Sequence, residues 1–257
     1  MTDAAALGAA LAADIRARAP FRDPGPEALP DIEAAYAVQA AVLAKLGAEH
    51  GGIGGRKIAW NTAAQMEALK IAEPGAACVL TGLIRTSPAA IKAADYATFA
   101  FEPEIAAVLS APLAPRPGGH DRESVAACVA RLHPAFELLD QRGFAGERPA
   151  SAIAANVFNV GLVLGGPGLP PAKVDPVALH SVVTLNGETL LDKSNAAPMH
   201  PLDAVAFLAN RFNRLGVTPG AGEVLLLGAH LPPYRFAGTG KLTFSCGALG
   251  EAVLEIG

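Results

Sequence analysis

The sequence predicts an α+β protein built on a curved, mostly antiparallel β-sheet assembly with helices at its N-terminus. Two helical runs open the chain, and short apolar or alternating runs suited to strands recur from Gly55 to the C-terminus. Only two further helical stretches interrupt those strands, too few for the strict alternation of a doubly wound parallel sheet. The core is ample: 257 residues, 51% of them hydrophobic and 17% charged, with a mean hydropathy of +0.33.

The first helix is expected from about Asp3 to Arg18. The second follows Pro30, with Asp31 as its cap, and ends at Gly47. Within it Ile32, Ala35, Val42 and Leu46 recur at helical spacing, which leaves Tyr36 and Gln39 close together as packing and a polar rim. Strands are expected over Lys57 to Trp60, Tyr96 to Leu109, Ala135 to Leu139, Val160 to Leu164, Ser181 to Leu185, Glu223 to Leu227, Lys241 to Ser245 and Ala252 to Ile256. One interrupting helix lies around Glu123 to Arg131. The other follows Pro201, where Leu202, Val205, Leu208 and Phe212 make an apolar stripe. No charge run or Ser/Gly linker divides the chain, so the expected organisation is an N-terminal helical region, residues 1–54, and a β-rich domain, residues 55–257, in one compact unit.

Several function classes fall away. A net charge of −4 and 5% aromatic residues give no nucleic-acid footprint. Cys78, Cys128 and Cys246 are odd in number and widely spaced, which points to a reducing cytoplasm, and the first residues lack the basic start and apolar core of a signal peptide. The uncharged stretch Ala150 to Ala172 is long enough for a bilayer, but its asparagines, glycines and prolines break it, so no membrane span is expected. The cluster Gly51-Gly52-Ile53-Gly54-Gly55-Arg56-Lys57 has neither phosphate-loop nor GxGxxG spacing. The six histidines show no zinc spacing, and GxSxG is absent.

The chemistry lies in Phe99-Ala100-Phe101-Glu102-Pro103-Glu104-Ile105 and in a third acid, Glu137, on a similar strand. Alternation along a strand points Glu102 and Glu104 one way and Phe99, Phe101 and Ile105 the other. Two carboxylates sharing one spot repel each other unless a cation or a shared proton relieves them. A divalent cation is one reading; a solvated strand edge around Pro103 is the other.

Beyond these acids, Ala35-Tyr36-Ala37-Val38-Gln39, Gly55-Arg56-Lys57-Ile58, Phe101-Glu102-Pro103-Glu104-Ile105-Ala106 and His133-Pro134-Ala135-Phe136-Glu137-Leu138-Leu139-Asp140-Gln141-Arg142 run in order through most of the chain. In these motifs the chain resembles the 2-keto-4-pentenoate hydratase and 4-oxalocrotonate decarboxylase group of the fumarylacetoacetate hydrolase superfamily. The resemblance implies that superfamily's curved mixed sheet assembly, a roll or sandwich, and a cytoplasmic homo-oligomer. It also implies a lyase acting on a small 2-oxo or 2-hydroxydienoic acid, with Glu102, Glu104 and Glu137 holding Mg²⁺ or Mn²⁺ and Lys57 exchanging a proton or stabilising an oxyanion. Hydration of a 2-hydroxy-2,4-dienoate and decarboxylation of a 4-oxalocrotonate type share one electron sink, so these residues do not separate the two. A diverged subunit partnering a hydratase or decarboxylase is the third reading.

Around this centre Trp60, Arg142, Asn156 and His230 are candidate substrate contacts, and Asp140 is a candidate for orienting Glu137. Asp140 and Arg142 also read as a surface pair, and His230 as a substitution without a role. Three segments depart from the group's usual pattern: Lys57-Ile58-Ala59-Trp60-Asn61-Thr62 places an indole by the pocket, Ala154-Ala155-Asn156-Val157-Phe158 loses an acid, and Leu227-Gly228-Ala229-His230-Leu231 loses hydroxyls. They predict a more apolar pocket and an altered substrate shape.

Overall fold

The computed structural model describes residues 3–144, 146 and 148–257. In chain order the elements are α1 (Ala4–Arg16), α2 (Ile32–His50), β1 (Ile53–Ala59), α3 (Ala63–Leu69), β2 (Gly75–Leu80), β3 (Ile84–Thr86), β4 (Ala89–Ile91), β5 (Phe99–Leu109), α4 (Arg122–Ala126), β6 (Val129–Asp140), α5 (Pro149–Ala154), β7 (Asn159–Leu164), β8 (Gly166–Pro167), β9 (His180–Leu185), β10 (Glu188–Ser194), α6 (Pro201–Arg214), β11 (Val224–Ala229), β12 (Tyr234–Arg235), β13 (Gly240–Cys246) and β14 (Gly250–Ile256). The strands form two sheets. The larger runs β2-β1-β11-β5-β6-β7-β3 with β12 added to β5, and the smaller runs β10-β9-β13-β14-β4 with β8 added to β14. Pairs β1–β11, β3–β7 and β4–β14 are parallel and the others antiparallel, so the expected mixed α+β architecture is what the chain adopts.

The longest pairing, β5 with β6, places Glu102 opposite Glu137 and Phe101 opposite Leu138. Its apolar face meets the smaller sheet through aromatic rings: Phe101 lies 5.9 Å from Phe136, and Phe136 lies 6.0 Å from Phe244 of β13. The opposite face carries the three glutamates beside a dry cluster of Val79, Ala106, Ala135, Leu162 and Leu226. That burial takes solvent away from any charge on the same face.

Strand β2 is the edge of the larger sheet, and its outward backbone groups are claimed by side chains. Tyr36 Oη accepts from the Ala76 N–H at 2.8 Å, and Gln39 Nε2 donates to the Ala76 carbonyl at 3.1 Å and to the Ile153 carbonyl at 2.9 Å. Two residues further along β2, Asn156 accepts from the Cys78 N–H at 2.9 Å and donates to the Cys78 carbonyl at 2.8 Å. An otherwise open edge is thereby closed by three polar side chains. Tyr36 and Gln39 are buried rather than a polar rim.

Helix α6 covers β1 and β11 with the expected stripe of Leu202, Val205, Leu208 and Phe212. Beneath it Arg56 is buried in a forked pair with Glu223, at 2.7 and 3.1 Å, and its guanidinium lies 4.0 Å from the Phe212 ring centre. Two expectations change. The helix expected over Glu123 to Arg131 stops at Ala126, because Arg131 and Leu132 pair with Val108 and Ala107 of β5. Helix α3 adds to the expected elements, and Thr62 and Gln65 form its capping box with a Thr-x-x-Gln spacing that the sequence carries. Likewise β10 pairs back on β9 through Asn186-Gly187, both at positive φ, a hairpin signal.

Asn156→Ala should strand the buried N–H and carbonyl of Cys78, with an expected cost of about 2–4 kcal/mol in denaturant unfolding. An unchanged unfolding midpoint would refute the edge closure.

Candidate metal centre

Alternation on β5 and direct pairing with β6 bring Glu102, Glu104 and Glu137 to one spot, where one oxygen from each lies within 4.8 Å of the others. Lys57 reaches the same spot from β1, across β11, because Lys57, Leu226 and Ala106 share a face. Its Nζ donates to Glu137 at 3.0 Å, and both side chains are buried. Oε1 of Glu137, which the Lys57 ammonium also approaches at 3.0 Å, accepts from Asn159 Nδ2 at 2.8 Å. Between Leu226 and Ala229 the β11–β5 register slips by one residue, and the Gly228 N–H turns inward to Glu104 at 2.7 Å. Gly228 has a φ of +115°, and a Cβ there would run into Asn61 and Pro198.

The electrostatics follow from burial. Removal from water pulls the Lys57 ammonium down, but Glu137, Glu102 and Glu104 outweigh it and hold Lys57 above the ordinary lysine range. Burial first, then repulsion from Glu137, pushes Glu102 up to about 8, and burial with repulsion from Glu137 and Glu102 raises Glu104 well above the carboxylate range. Fully ionised, three carboxylates and one ammonium leave two negative charges in excess, the charge a divalent cation brings. Three hard oxygen donors fit Mg²⁺ or Mn²⁺ and suit softer metals poorly.

The cluster opens on a cavity of about 660 Å³, lined at its inner end by Lys57, Glu102 and Glu104. Trp60, Leu139, Phe144, Val157 and Phe158 supply apolar walls. The rings of Phe144 and Phe158 lie 4.7 Å apart, with Phe21 edge-on to both. Backbone strain concentrates at this wall: Trp60 has a φ of 56°, and Asn156, Val157 and Phe158 run in succession at 56°, 45° and 61°. Left-handed backbone at β-branched Val157 costs of order 1–3 kcal/mol and persists only where packing imposes it. The Trp60 indole occupies space left by Gly75, where a Cβ would stand 2.7 Å from the ring.

The remaining candidates stand outside the cavity lining. Asp140 does not touch Glu137; its carboxylate accepts from the Ala97 and Thr98 N–H groups at 2.9 and 2.8 Å and fixes the entry to β5. Arg142 is buried with a donor on the Ala19 carbonyl and its guanidinium 5.8 Å from Phe21, so it is neither a surface pair nor a cavity contact. Asn156 is spent on Cys78. His230 lies between the sheets, bonded to Ser181 Oγ at 2.8 Å and edge-on to Phe244 at 5.6 Å. Trp60 does line the cavity. Reading the sequence missed Asn159, which supports Glu137 from β7, and Gly228. For Asn159 a single sequence offers no signal, whereas a glycine inside an apolar strand is a bulge signal.

No family model matches the chain. It is 29% identical over 221 residues to the 2-hydroxyhexa-2,4-dienoate hydratase of Comamonas testosteroni, covering 84% of this chain and 82% of that one. It is 28% identical over 212 residues to the 2-oxo-hept-4-ene-1,7-dioate hydratase of Escherichia coli, covering 79% and 78%. Among solved structures, 4-oxalocrotonate decarboxylase from Pseudomonas putida G7, complexed with magnesium and adipate, superposes with a TM-score of 0.89 at 22% identity over 98% of this chain and 97% of that chain. Over most of its length the chain is similar to 2-keto-4-pentenoate-type hydratases, and its fold is that of the 4-oxalocrotonate decarboxylase structure. Its fold is the one shared with fumarylacetoacetate hydrolase superfamily structures.

Burial pushes His230 down to about 4, below the ordinary 6.5. The unfolded chain therefore takes up a proton near pH 6.5 that the folded chain refuses until near pH 4. Stability from this group is intact above pH 6.5, and about 3 kcal/mol is lost as pH falls to 4. His230→Phe should show a correspondingly shallower loss over that window in unfolding titrations; parallel curves would disprove the assignment.

Proposed function

We propose that this protein is a divalent-metal-dependent hydro-lyase that adds water to a 2-hydroxy-2,4-dienoate, giving a 4-hydroxy-2-oxo acid. The observation that carries the reading is the buried set Lys57, Glu102, Glu104 and Glu137 at the inner end of an apolar-walled cavity. The hydratases to which the chain is similar support it.

Glu102, Glu104 and Glu137 would hold Mg²⁺ or Mn²⁺, which when bound supplies Lewis acidity for negative charge developing on a substrate oxygen. Lys57, held as an ammonium, is a donor beside that oxygen and stabilises an enolate by charge and hydrogen bond. Its own position is fixed by Glu137, which Asn159 holds from the other side. Trp60, Val157 and Phe158 enclose an apolar chain and limit the water that reaches the reacting carbons. Protonation at carbon and addition of water at the far end of the conjugated system complete a hydration. Loss of CO₂ from a 4-oxalocrotonate-type acid draws on the same enolate. That decarboxylation is the second reading, favoured by the 0.89 TM-score to a decarboxylase. A non-catalytic partner subunit of either enzyme is the reading outside catalysis.

The protein is read as a cytoplasmic homo-oligomer with a small-molecule substrate. Among the described residues no helix is long and apolar enough to cross a membrane. The uncharged stretch that prompted the question folds instead into α5, β7 and the turns around them.

Metal-stripped protein incubated with 2-hydroxypenta-2,4-dienoate or 4-oxalocrotonate, each with and without Mg²⁺, separates these readings by absorbance and product NMR. Metal-dependent formation of 4-hydroxy-2-oxopentanoate establishes the hydratase and CO₂ release the decarboxylase, while silence with both points to a larger substrate or to a non-catalytic role. Glu102→Gln and Glu137→Gln should abolish metal-dependent turnover with folding retained; normal turnover in both would rule out the centre. For Lys57→Met the expectation is metal binding retained and a rate lower by about two orders of magnitude, and unchanged kinetics would leave Lys57 a structural charge.

A further inference from the structure

We propose that the cavity carries an anion subsite, formed by Arg235 with Gln141 and Lys193, that selects a 2-oxo acid bearing a second carboxylate at its far end. The inference rests on the carboxylate cluster being the place where the 2-oxo acid end is held.

The geometry of the larger sheet supports it. Ala100, Glu102 and Glu104 point to one face of β5, and β12 joins β5 with Arg235 opposite Ala100 and Tyr234 opposite Phe101. Directly paired residues project to the same face. Arg235 therefore stands on the carboxylate face, while Tyr234 lies on the other, its ring 5.3 Å from Phe101. On β6, Leu139 pairs with Ala100 and Glu137 with Glu102. The face thus carries the carboxylates and, one two-residue step along, a row of Leu139, Ala100 and Arg235 across β6, β5 and β12. Each two-residue step along a strand covers about 7 Å, a distance an unbranched dicarboxylic acid of six or seven carbons spans.

Arg235 is prepared for this role by Gln141, whose Oε1 accepts from Nε at 3.1 Å and Nη2 at 2.9 Å. That clasp sets the guanidinium plane and leaves donors free for a carboxylate. Lys193 of β10 lines the same cavity from the smaller sheet and has no ion-pair or hydrogen-bond partner among the described residues. The acids lining the cavity, among those described, are Glu102 and Glu104 at the metal centre. A distal carboxylate that reaches Arg235 meets no acid among the described lining residues there, and Lys193 adds a second positive charge to the same cavity.

The test uses calorimetric binding to the Mg²⁺-loaded protein of two saturated acids that cannot be hydrated, 2-oxoheptanedioate and 2-oxoheptanoate. The dioate should bind about tenfold more tightly at low salt, and the advantage should shrink as added salt screens it. In Arg235→Gln the ratio should fall toward one, with Arg235→Lys intermediate. Equal binding to the wild-type protein, a ratio unchanged in folded Arg235→Gln, or no binding of either acid would overturn the subsite. If Arg235→Gln does not fold, the wild-type ratio and its salt dependence decide. Turnover of the matching 2-hydroxy-2,4-dienoates is measured beside binding: turnover with equal binding removes the subsite alone, whereas no turnover with the dioate preference intact removes the lyase reading and leaves the subsite standing.

Discussion

The structure depends on three carboxyl groups gathered out of water, whose full ionisation leaves two negative charges in excess. Glu104 and Glu137 are almost wholly buried, Glu102 lies beside them, and a single ammonium, Lys57, answers all three. Such an arrangement is unfavourable by itself, and the surrounding fold is organised to hold it. The β5–β6 register sets Glu102 against Glu137, the bulge at Gly228 aims an N–H at Glu104, and Asn159 clasps Glu137. With Glu104 and Glu137 fixed from behind, the open side faces the cavity. A hard divalent cation placed there balances the charge and meets donors already ordered.

Closure of the larger sheet serves the same end. A strand edge at β2 would admit water toward Lys57 on β1, but Tyr36, Gln39 and Asn156 take its outward backbone groups. Helix α2 and the turn after α5 are thus part of the wall. The left-handed run of Asn156, Val157 and Phe158 follows from this clasp, since Asn156 must meet Cys78 while Val157 and Phe158 turn to the cavity. Strain at this place is compensated by the Phe21, Phe144 and Phe158 rings packed behind it.

Cavity character follows from the same elements. The walls are aromatic and aliphatic, as Trp60 and Phe158 in the sequence imply, and Gly75 gives the indole its place. Among its polar lining groups are the metal centre and the Arg235–Gln141 pair, with Leu139 on the strand between them. A pocket of this kind binds a substrate by its polar ends and shields what lies between them. His230, Arg142 and Asp140 contribute through packing, chain entry and neutral burial, and they do not reach the cavity lining.

The sequence by itself determined which residues could form the centre and what class of fold would carry them. Period-two alternation through Glu102 and Glu104 fixed their common face, the helical stripe from Leu202 to Phe212 fixed the face of α6, and the ordered motifs from Ala35 to Arg142 pointed to the group. These are local patterns, readable because side-chain direction in a strand or helix repeats with the backbone. Tertiary structure alone decided the partners. That Asn159 meets Glu137, that Asn156 closes β2 instead of lining the cavity, that Asp140 serves the backbone at Ala97 and Thr98, and that Arg235 shares a face with Glu102 all depend on pairings between segments far apart in the chain. The same long-range pairing ended the helix at Ala126, because joining β5 outweighs a weak local helical preference. Register between distant strands is set by the collective burial of a whole face, and no single segment contains that information.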